Sequence, residues 1–263
     1  MAEVLCLERI KEMNYITLTE ENIDEEHICC ALIDKKGSCG ASKKREWLKE
    51  RIREGLTFRK ADIRGKVFIE YLPAEKAWIP INANNFLFIN CLWVSGSYKG
   101  KGYGHELLQS CIEDAKAQGK YGVVGLSSIK KKGFLSDPIF FKKNGFEVVD
   151  SAEPYYQLYC LRFDNSFPLP SFKDCAKKGV IDDTEHVVIY YSNQCPFTED
   201  NVRDVKEAAE KYGIPFRAIR YEDTKMAQSA PVPSTTYSLF RYGKFLTHEV
   251  QNVPRFLKLM GLK

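Results

Sequence analysis

Leu92-Trp93-Val94-Ser95-Gly96-Ser97-Tyr98-Lys99-Gly100-Lys101-Gly102-Tyr103-Gly104-His105-Glu106-Leu107-Leu108 runs from an apolar strand, through a glycine-rich loop, into an amphipathic helix. Glycine lets a backbone approach a ligand closely and turn its N–H groups inward. The helix start adds unpaired N–H groups and the positive end of the helix dipole, which together suit an anion. Lys99 and Lys101 add mobile positive charge for phosphate. Taken alone, the pattern also fits a tight strand–helix turn with no ligand. A dinucleotide site fits less well, because no parallel βαβ unit lies around it in the expected ~30-residue register.

Working outward, the strand entering the loop is Phe86 to Val94, an apolar run interrupted by Asn90. Upstream, Tyr15–Thr19, Leu56–Ile63 and Val67–Leu72 read as strands and Asn22–Ile33 as an amphipathic helix. Ser42 is placed to cap a second helix, which Gly55 ends. Downstream, the helix from about Gly104 stops near Ala117, before Gly119. A strand Tyr121–Ser127, a short helix Pro138–Lys143 and closing strands Phe146–Val149 and Tyr156–Phe163 follow.

With those elements in order, the glycine stretch resembles the acetyl-CoA signature of the GCN5-related N-acetyltransferase (GNAT) superfamily, strand–[Arg/Gln]-x-x-Gly-x-[Gly/Ala]–helix. Lys99 stands at the Arg/Gln position, and Gly102 and Gly104 are the small residues. Phe140-Phe141-Lys142-Lys143-Asn144-Gly145-Phe146 looks like the family's helix-to-strand turn, about 40 residues on. The resemblance covers roughly residues 1–163 and implies a mixed-sheet acyl-CoA N-acyltransferase fold. It implies that Lys99, Gly100, Lys101, Gly102, Tyr103 and Gly104 cradle the pyrophosphate of acetyl-CoA. The splayed strand, through Leu92, Trp93 and Val94, would hold the pantetheine arm, with the Val94 N–H near the thioester, while an amine attacks directly. The family's proton-donating tyrosine falls at Phe141, which has no proton to give and is left as a cofactor contact. No carboxylate lies in Phe86–Val94. Glu70 is therefore a candidate base and Tyr71 a candidate acid, although Glu70 also reads as a strand carboxylate facing solvent.

Residues 164–184 break the pattern with two prolines and four aspartates and read as a linker. A new α/β pattern begins with the strand His186–Tyr191, then Cys195-Pro196-Phe197-Thr198 and the helix Glu199–Tyr212. A second strand Pro215–Tyr221, a hairpin around Tyr242-Gly243 and a helix Val253–Met260 complete it. A thiol at a helix N-terminus is expected to ionise readily, and Cys195 is a candidate reactive residue. Residues 185–263 resemble a small thioredoxin-like α/β domain. Cys195 stands at its first cysteine, Thr198 replaces the resolving one, and Val232-Pro233 stands at its cis-proline. Thr198 is placed to hydrogen-bond a Cys195 thiolate. The pairing of both regions resembles the YoaP-type bacterial acetyltransferases.

The chain has 263 residues, a net charge of +4 and no acidic or basic tail, so no nucleic-acid partner is expected. The longest dense apolar run is of strand length, and no membrane span or secretory leader is read. Nine cysteines without regular spacing suit reduced thiols in the cytoplasm. Cys29, Cys30 and Cys39 with His27 lack zinc spacing, and no metal is expected. Lys130-Lys131-Lys132 reads as a solvated loop, or as a contact for the coenzyme's 3′-phosphate. The expectation is an α/β enzyme moving acetyl from acetyl-CoA to a small-molecule or peptide amine. The alternatives are a thiol- or redox-handling protein using Cys195 and a non-catalytic acyl-CoA binder. Gating the acceptor site, recognising the acceptor and mediating homodimerisation are the roles open to the C-terminal region.

Overall fold

The computed structural model describes residues 13–28, 30 and 36–262. Among these residues, thirteen strands and six α-helices follow one another in mixed α/β order. They are β1 (Tyr15–Thr17), α1 (Gly40–Arg53), β2 (Thr57–Ala61), β3 (Val67–Pro73), β4 (Ile81–Asn82), β5 (Phe86–Val94) and α2 (Tyr103–Ala117). Next come β6 (Gly122–Ser128), α3 (Pro138–Lys143), β7 (Glu147–Ala152), β8 (Tyr156–Arg162) and β9 (Ser171–Phe172). The chain ends with β10 (Val187–Tyr191), α4 (Thr198–Lys211), β11 (Phe216–Arg220), α5 (Thr224–Ala227), β12 (Tyr237–Arg241), β13 (Lys244–Thr247) and α6 (Val253–Leu259).

A seven-stranded sheet runs in the order β1-β2-β3-β5-β6-β8-β7. Its one parallel pair is β5–β6, joined only from Phe86↔Gly122 to Ile89↔Gly125. Beyond Ile89, β5 keeps its antiparallel pairing with β3 as far as Val94↔Val67, while β6 continues against β8. The two central strands part like a fork. The β3–β5 ladder also shifts register there, from Tyr71↔Ile89 to Glu70↔Cys91, so Asn90 is the extra residue of a β-bulge at the vertex.

Both faces of this sheet are covered. Helix α2 buries Leu107, Leu108, Cys111 and Ala115 against Val67, Ile69, Leu87 and Ile89. The opposite face, with Phe58, Phe68, Leu72, Phe86 and Phe88, packs on Trp47 and Leu48 of α1. That second cluster continues into Val188 and Phe240 of a four-stranded sheet ordered β11-β10-β12-β13. Here α4 links the parallel pair β10–β11, β12 and β13 form an antiparallel hairpin, and α6 closes the far side.

Several sequence expectations change. Residues 22–26 form turns and a bend and 27–28 are irregular, rather than the start of a helix, while 29 and 31–33 lie outside the described residues. Helix α1 starts at Gly40, and its leading N–H groups are met from α4. Asp200 accepts the Cys39 and Gly40 N–H groups at 3.1 Å each, together with the Ser38 hydroxyl. Segment 164–184 is packed: β9 pairs with β4, Val180 bridges Lys244, and Phe167 stacks on Tyr121 at 4.1 Å. Among the described residues the cis peptide is Glu153–Pro154, so Val232–Pro233 is not the expected cis bond.

Candidate active site

The loop leaving β5 makes a 3₁₀ turn over Gly96–Tyr98 and reaches Gly102 as the left-handed N-cap of α2. Gly100 and Gly102 have φ of 75° and 90°, which a side chain would strain. His105 and Glu106 already donate to the Gly102 carbonyl at 2.8 and 3.1 Å. The N–H groups of Tyr103 and Gly104 precede any intrahelical acceptor, the arrangement at a helix start that suits an anion. A Cβ on Gly104 would come within 3.4 Å of the Phe140 ring and 3.7 Å of the Val94 side chain, so helix and strand meet backbone to side chain. Lys99 and Lys101 are exposed on this loop. Lys131 pairs with Asp137 at 2.7 Å on an exposed loop, and Lys132 lies 4.2 Å over the Tyr155 ring.

On the other side of the fork lies a cavity of about 410 Å³. Its floor is Asn90, Cys91, Leu92 and Trp93 of β5, and one wall is Phe134–Ser136 from the loop after β6. The four-stranded sheet supplies the roof through Gln194–Phe197 and Thr236. Leu92 and Trp93 thus face different surroundings, because alternate residues of a strand point to opposite faces. Trp93 packs with the α1-side cluster, while Leu92 and Val94 pack with the α2-side cluster. Among the described residues no strand pairs with the edge of residues 90–94 away from β3.

Two buried charges meet at the base of the cavity, Lys44 in its lining and Glu70 beneath it. Lys44 of α1 bonds Glu70 of β3 at 2.5 Å, with side chains 1% and 0% exposed. Burial alone would drive the proton from Lys44. Its contacts with the Cys30 sulfur and the Glu70 carboxylate outweigh that cost and hold the ammonium above its ordinary range. The expected solvent-facing Glu70 is therefore corrected: it is buried, and its Oε1 has no hydrogen-bond partner.

The structure separates the three candidate catalytic groups. Cys195 lines the cavity roof and Glu70 lies one layer below it. Tyr71 lies on the opposite face, in the α2-side cluster, donating to the Asp114 carboxylate. Burial first, then Asp114, drives the Tyr71 phenol far above its usual range, and it does not reach the cavity. Cys195 also departs from expectation. Burial raises its thiol, more than the Phe197 N–H and Lys44 lower it. Thr198 donates to the Ser192 and Cys195 carbonyls, each at 2.8 Å, rather than to the sulfur. Phe141, expected at the cofactor, is 1% exposed. Its ring covers Gly125, where a Cβ would stand 2.4 Å from it, so it is a core residue under β6.

Sequence reasoning missed Lys44, Phe134, Gln194 and the role of Asn90. For Asn90 a signal existed, a single polar residue inside an apolar strand. Lys44 lies in Ser42-Lys43-Lys44-Arg45, which reads as a solvated helix face. Among the described residues no group of three or more His, Cys, Asp or Glu side chains could hold a metal ion. No helix there is long and apolar enough to cross a membrane.

Set beside known proteins, residues 21–132 match the acetyltransferase (GNAT) family and residues 215–258 match the YoaP-like family. A Bacillus subtilis (strain 168) protein described as an uncharacterized N-acetyltransferase, YoaP, is 45% identical over 249 residues, 95% of this chain and 99% of that protein. Among solved structures, a GNAT acetyltransferase from Brucella melitensis in complex with acetyl-CoA is 17% identical. It covers 62% of this chain and 97% of its own, with a TM-score of 0.39. The PaiA N-acetyltransferase from Thermoplasma acidophilum in complex with coenzyme A is 18% identical, covering 58% and 99%, with a TM-score of 0.41.

Proposed function

The chain belongs to the GNAT acetyltransferase family and carries a YoaP-like C-terminal region, and from that premise we propose that it moves acetyl from acetyl-CoA to an amine by direct attack in the cavity between its two sheets. The observation that carries this reading is the fork after Ile89↔Gly125, which opens toward the glycine loop on one side and into the cavity on the other.

Acetyl-CoA supplies an acyl group already activated as a thioester. Residues Lys99–Gly104 hold the pyrophosphate through backbone N–H groups, the α2 dipole and the two lysines. The free edge of residues 90–94 lines up the pantetheine arm, and the hydrophobic walls keep water from the reacting centre. Glu70, with an unpartnered Oε1, lies beneath the floor rather than in the cavity wall, so as the candidate base it takes up the amine proton through a water relay while coenzyme A leaves as the thiolate. The raised Cys195 thiol weighs against the thiol-handling alternative, since the thiolate is the reactive form.

The C-terminal region, 185–263, is a thioredoxin-like unit that follows 1–163 and a packed linker, 164–184, and shares a hydrophobic cluster with the first, a division supported by the βαβ unit and hairpin of the four-stranded sheet. Nine cysteines suit a reducing, cytoplasmic setting. The test is a thermal-shift titration with acetyl-CoA, with NAD as control, followed by chromatographic detection of acetylated amine. Acetyl-CoA, and not NAD, raises the melting temperature, and Gly102→Glu removes the shift. No shift at saturating acetyl-CoA overturns the reading.

A further inference from the structure

The walls of the cavity restrict what the acceptor can be. Its apolar surface comes from Trp93, Leu135, Phe134, Pro196 and Phe197. Phe134 has φ of 61°, rare for an aromatic residue, and is 49% exposed, so the chain holds a large ring at the cavity edge without burying it. The loop carrying it is pinned from the other sheet, where His248 Nε2 lies 2.8 Å from the Gly133 carbonyl. No carboxylate lines the cavity among the described residues. Its cation, Lys44, is already paired with Glu70. At the rim, Lys66 lies 4.6 Å over the Trp93 ring and 5.9 Å from the Phe197 centroid, which adds positive charge. A polyamine or aminosugar needs several carboxylates to replace its hydration, and these walls provide none.

Into this largely apolar space projects a polar group with unused hydrogen-bonding capacity. Asn90, the bulged residue at the fork vertex, has both its amide nitrogen and its amide oxygen buried without a hydrogen-bond partner. Buried amides are ordinarily satisfied, and exceptions call for an explanation such as a missing ligand. With acetyl-CoA in the fork, as proposed above, Asn90 lies where the donor's acyl end arrives, and its role toward the acceptor rests on that reading.

We propose that the acceptor is a small primary monoamine on an apolar, aromatic-sized body, with its nitrogen hydrogen-bonded to Asn90 Oδ1 and its body packed between Trp93, Phe134 and Phe197. A cavity of about 410 Å³ suits one such molecule and excludes a folded protein surface. Asn90 touches substrate and is a catalytic residue in that sense: it fixes the amine lone pair toward the thioester carbon.

The experiment uses the full chain with acetyl-CoA and reads acetylated product by mass spectrometry, since the protein's own thiols would react with a thiol reagent. Phenethylamine and tryptamine are compared with spermidine, kanamycin and a lysine-containing peptide. Expected is a kcat/KM at least about tenfold higher for the first two. Asn90→Ala should lower kcat/KM for phenethylamine roughly 10–100-fold while retaining the acetyl-CoA thermal shift. Asn90→Ser keeps the test open if the alanine variant fails to fold. Phe134→Asp should raise KM for both arylalkylamines and reduce their advantage over spermidine. Better turnover of spermidine, kanamycin or the peptide overturns the inference but leaves an acetyltransferase. So does acetyl-CoA binding without turnover of either arylalkylamine, or an Asn90 variant with unchanged kinetics. Absence of acetyl-CoA binding removes the underlying reading as well.

Discussion

Lys44 and Glu70 are two charges taken almost wholly out of water, and their 2.5 Å contact is what makes that tolerable. Removing one partner leaves the other without compensation, whereas replacing both with apolar residues of similar size removes the problem. Lys44→Met alone is therefore expected to destabilise the protein by about 3–5 kcal/mol. Lys44→Met with Glu70→Met should recover most of that loss in urea unfolding. Cys195 gives a second residue-scale prediction. Because burial raises its thiol, its alkylation should be slower than that of a free cysteine at pH near 8 and should accelerate only above the usual thiol range of ~8.5. Peptide mass spectrometry after timed iodoacetamide treatment reads this directly, and fast labelling at neutral pH would contradict the burial of the thiol.

Helix α1 depends on a cap that its own sequence does not contain. Ser42, the expected cap, lies inside the helix, and the carboxylate that meets the helix start belongs to Asp200, on an element 160 residues away. Asp200→Ala should cost about 1–2 kcal/mol in urea unfolding at neutral pH. Although burial opposes ionisation, the Ser38 hydroxyl and the Cys39 and Gly40 N–H groups hold the Asp200 carboxyl below its usual range. Its contribution is present above the unfolded value of ~3.9 and disappears as pH falls through the lower folded value. The same helix illustrates what local sequence can and cannot reveal. β5 and α3 were legible to the residue because an apolar run and a proline start mark them, and the glycine loop was legible because positive φ demands glycine. The cavity was not, since its floor and roof are joined by contacts more than 100 residues apart. The ionisation of Cys195 was misjudged for a related reason: its position before α4 is local, while the burial that decides its proton affinity is tertiary.

Across the whole molecule, the two sheets are held together by a few specific hydrogen bonds as well as by a shared hydrophobic cluster. Gln228 donates to the Glu75 and Ala77 carbonyls at 3.1 and 3.0 Å, and Thr235 to the Trp78 carbonyl. His248 lies 2.7 Å from the Tyr155 hydroxyl through Nδ1, opposite its Nε2 contact with Gly133. A neutral ring serves both, accepting from Tyr155 and donating to the carbonyl. Burial holds His248 below its usual value, despite the Gly133 carbonyl and Glu249. With a depressed folded value, the unfolded chain binds the proton first. The His248 contribution is thus intact above ~6.5 and is lost as pH falls below it. The melting temperature should drop more steeply from about pH 7.5 to 5.5 in the parent protein than in His248→Gln, which starts lower but follows a flatter profile.

At Gly40 an added Cβ would stand 1.9 Å from the Pro196 carbonyl oxygen. The start of α1 and the turn that roofs the cavity therefore touch through bare backbone, and the height of the chamber is fixed where no side chain can adjust it. No rotamer change can absorb a substitution there, so Gly40 acts as a spacer of fixed length between the helix and the turn.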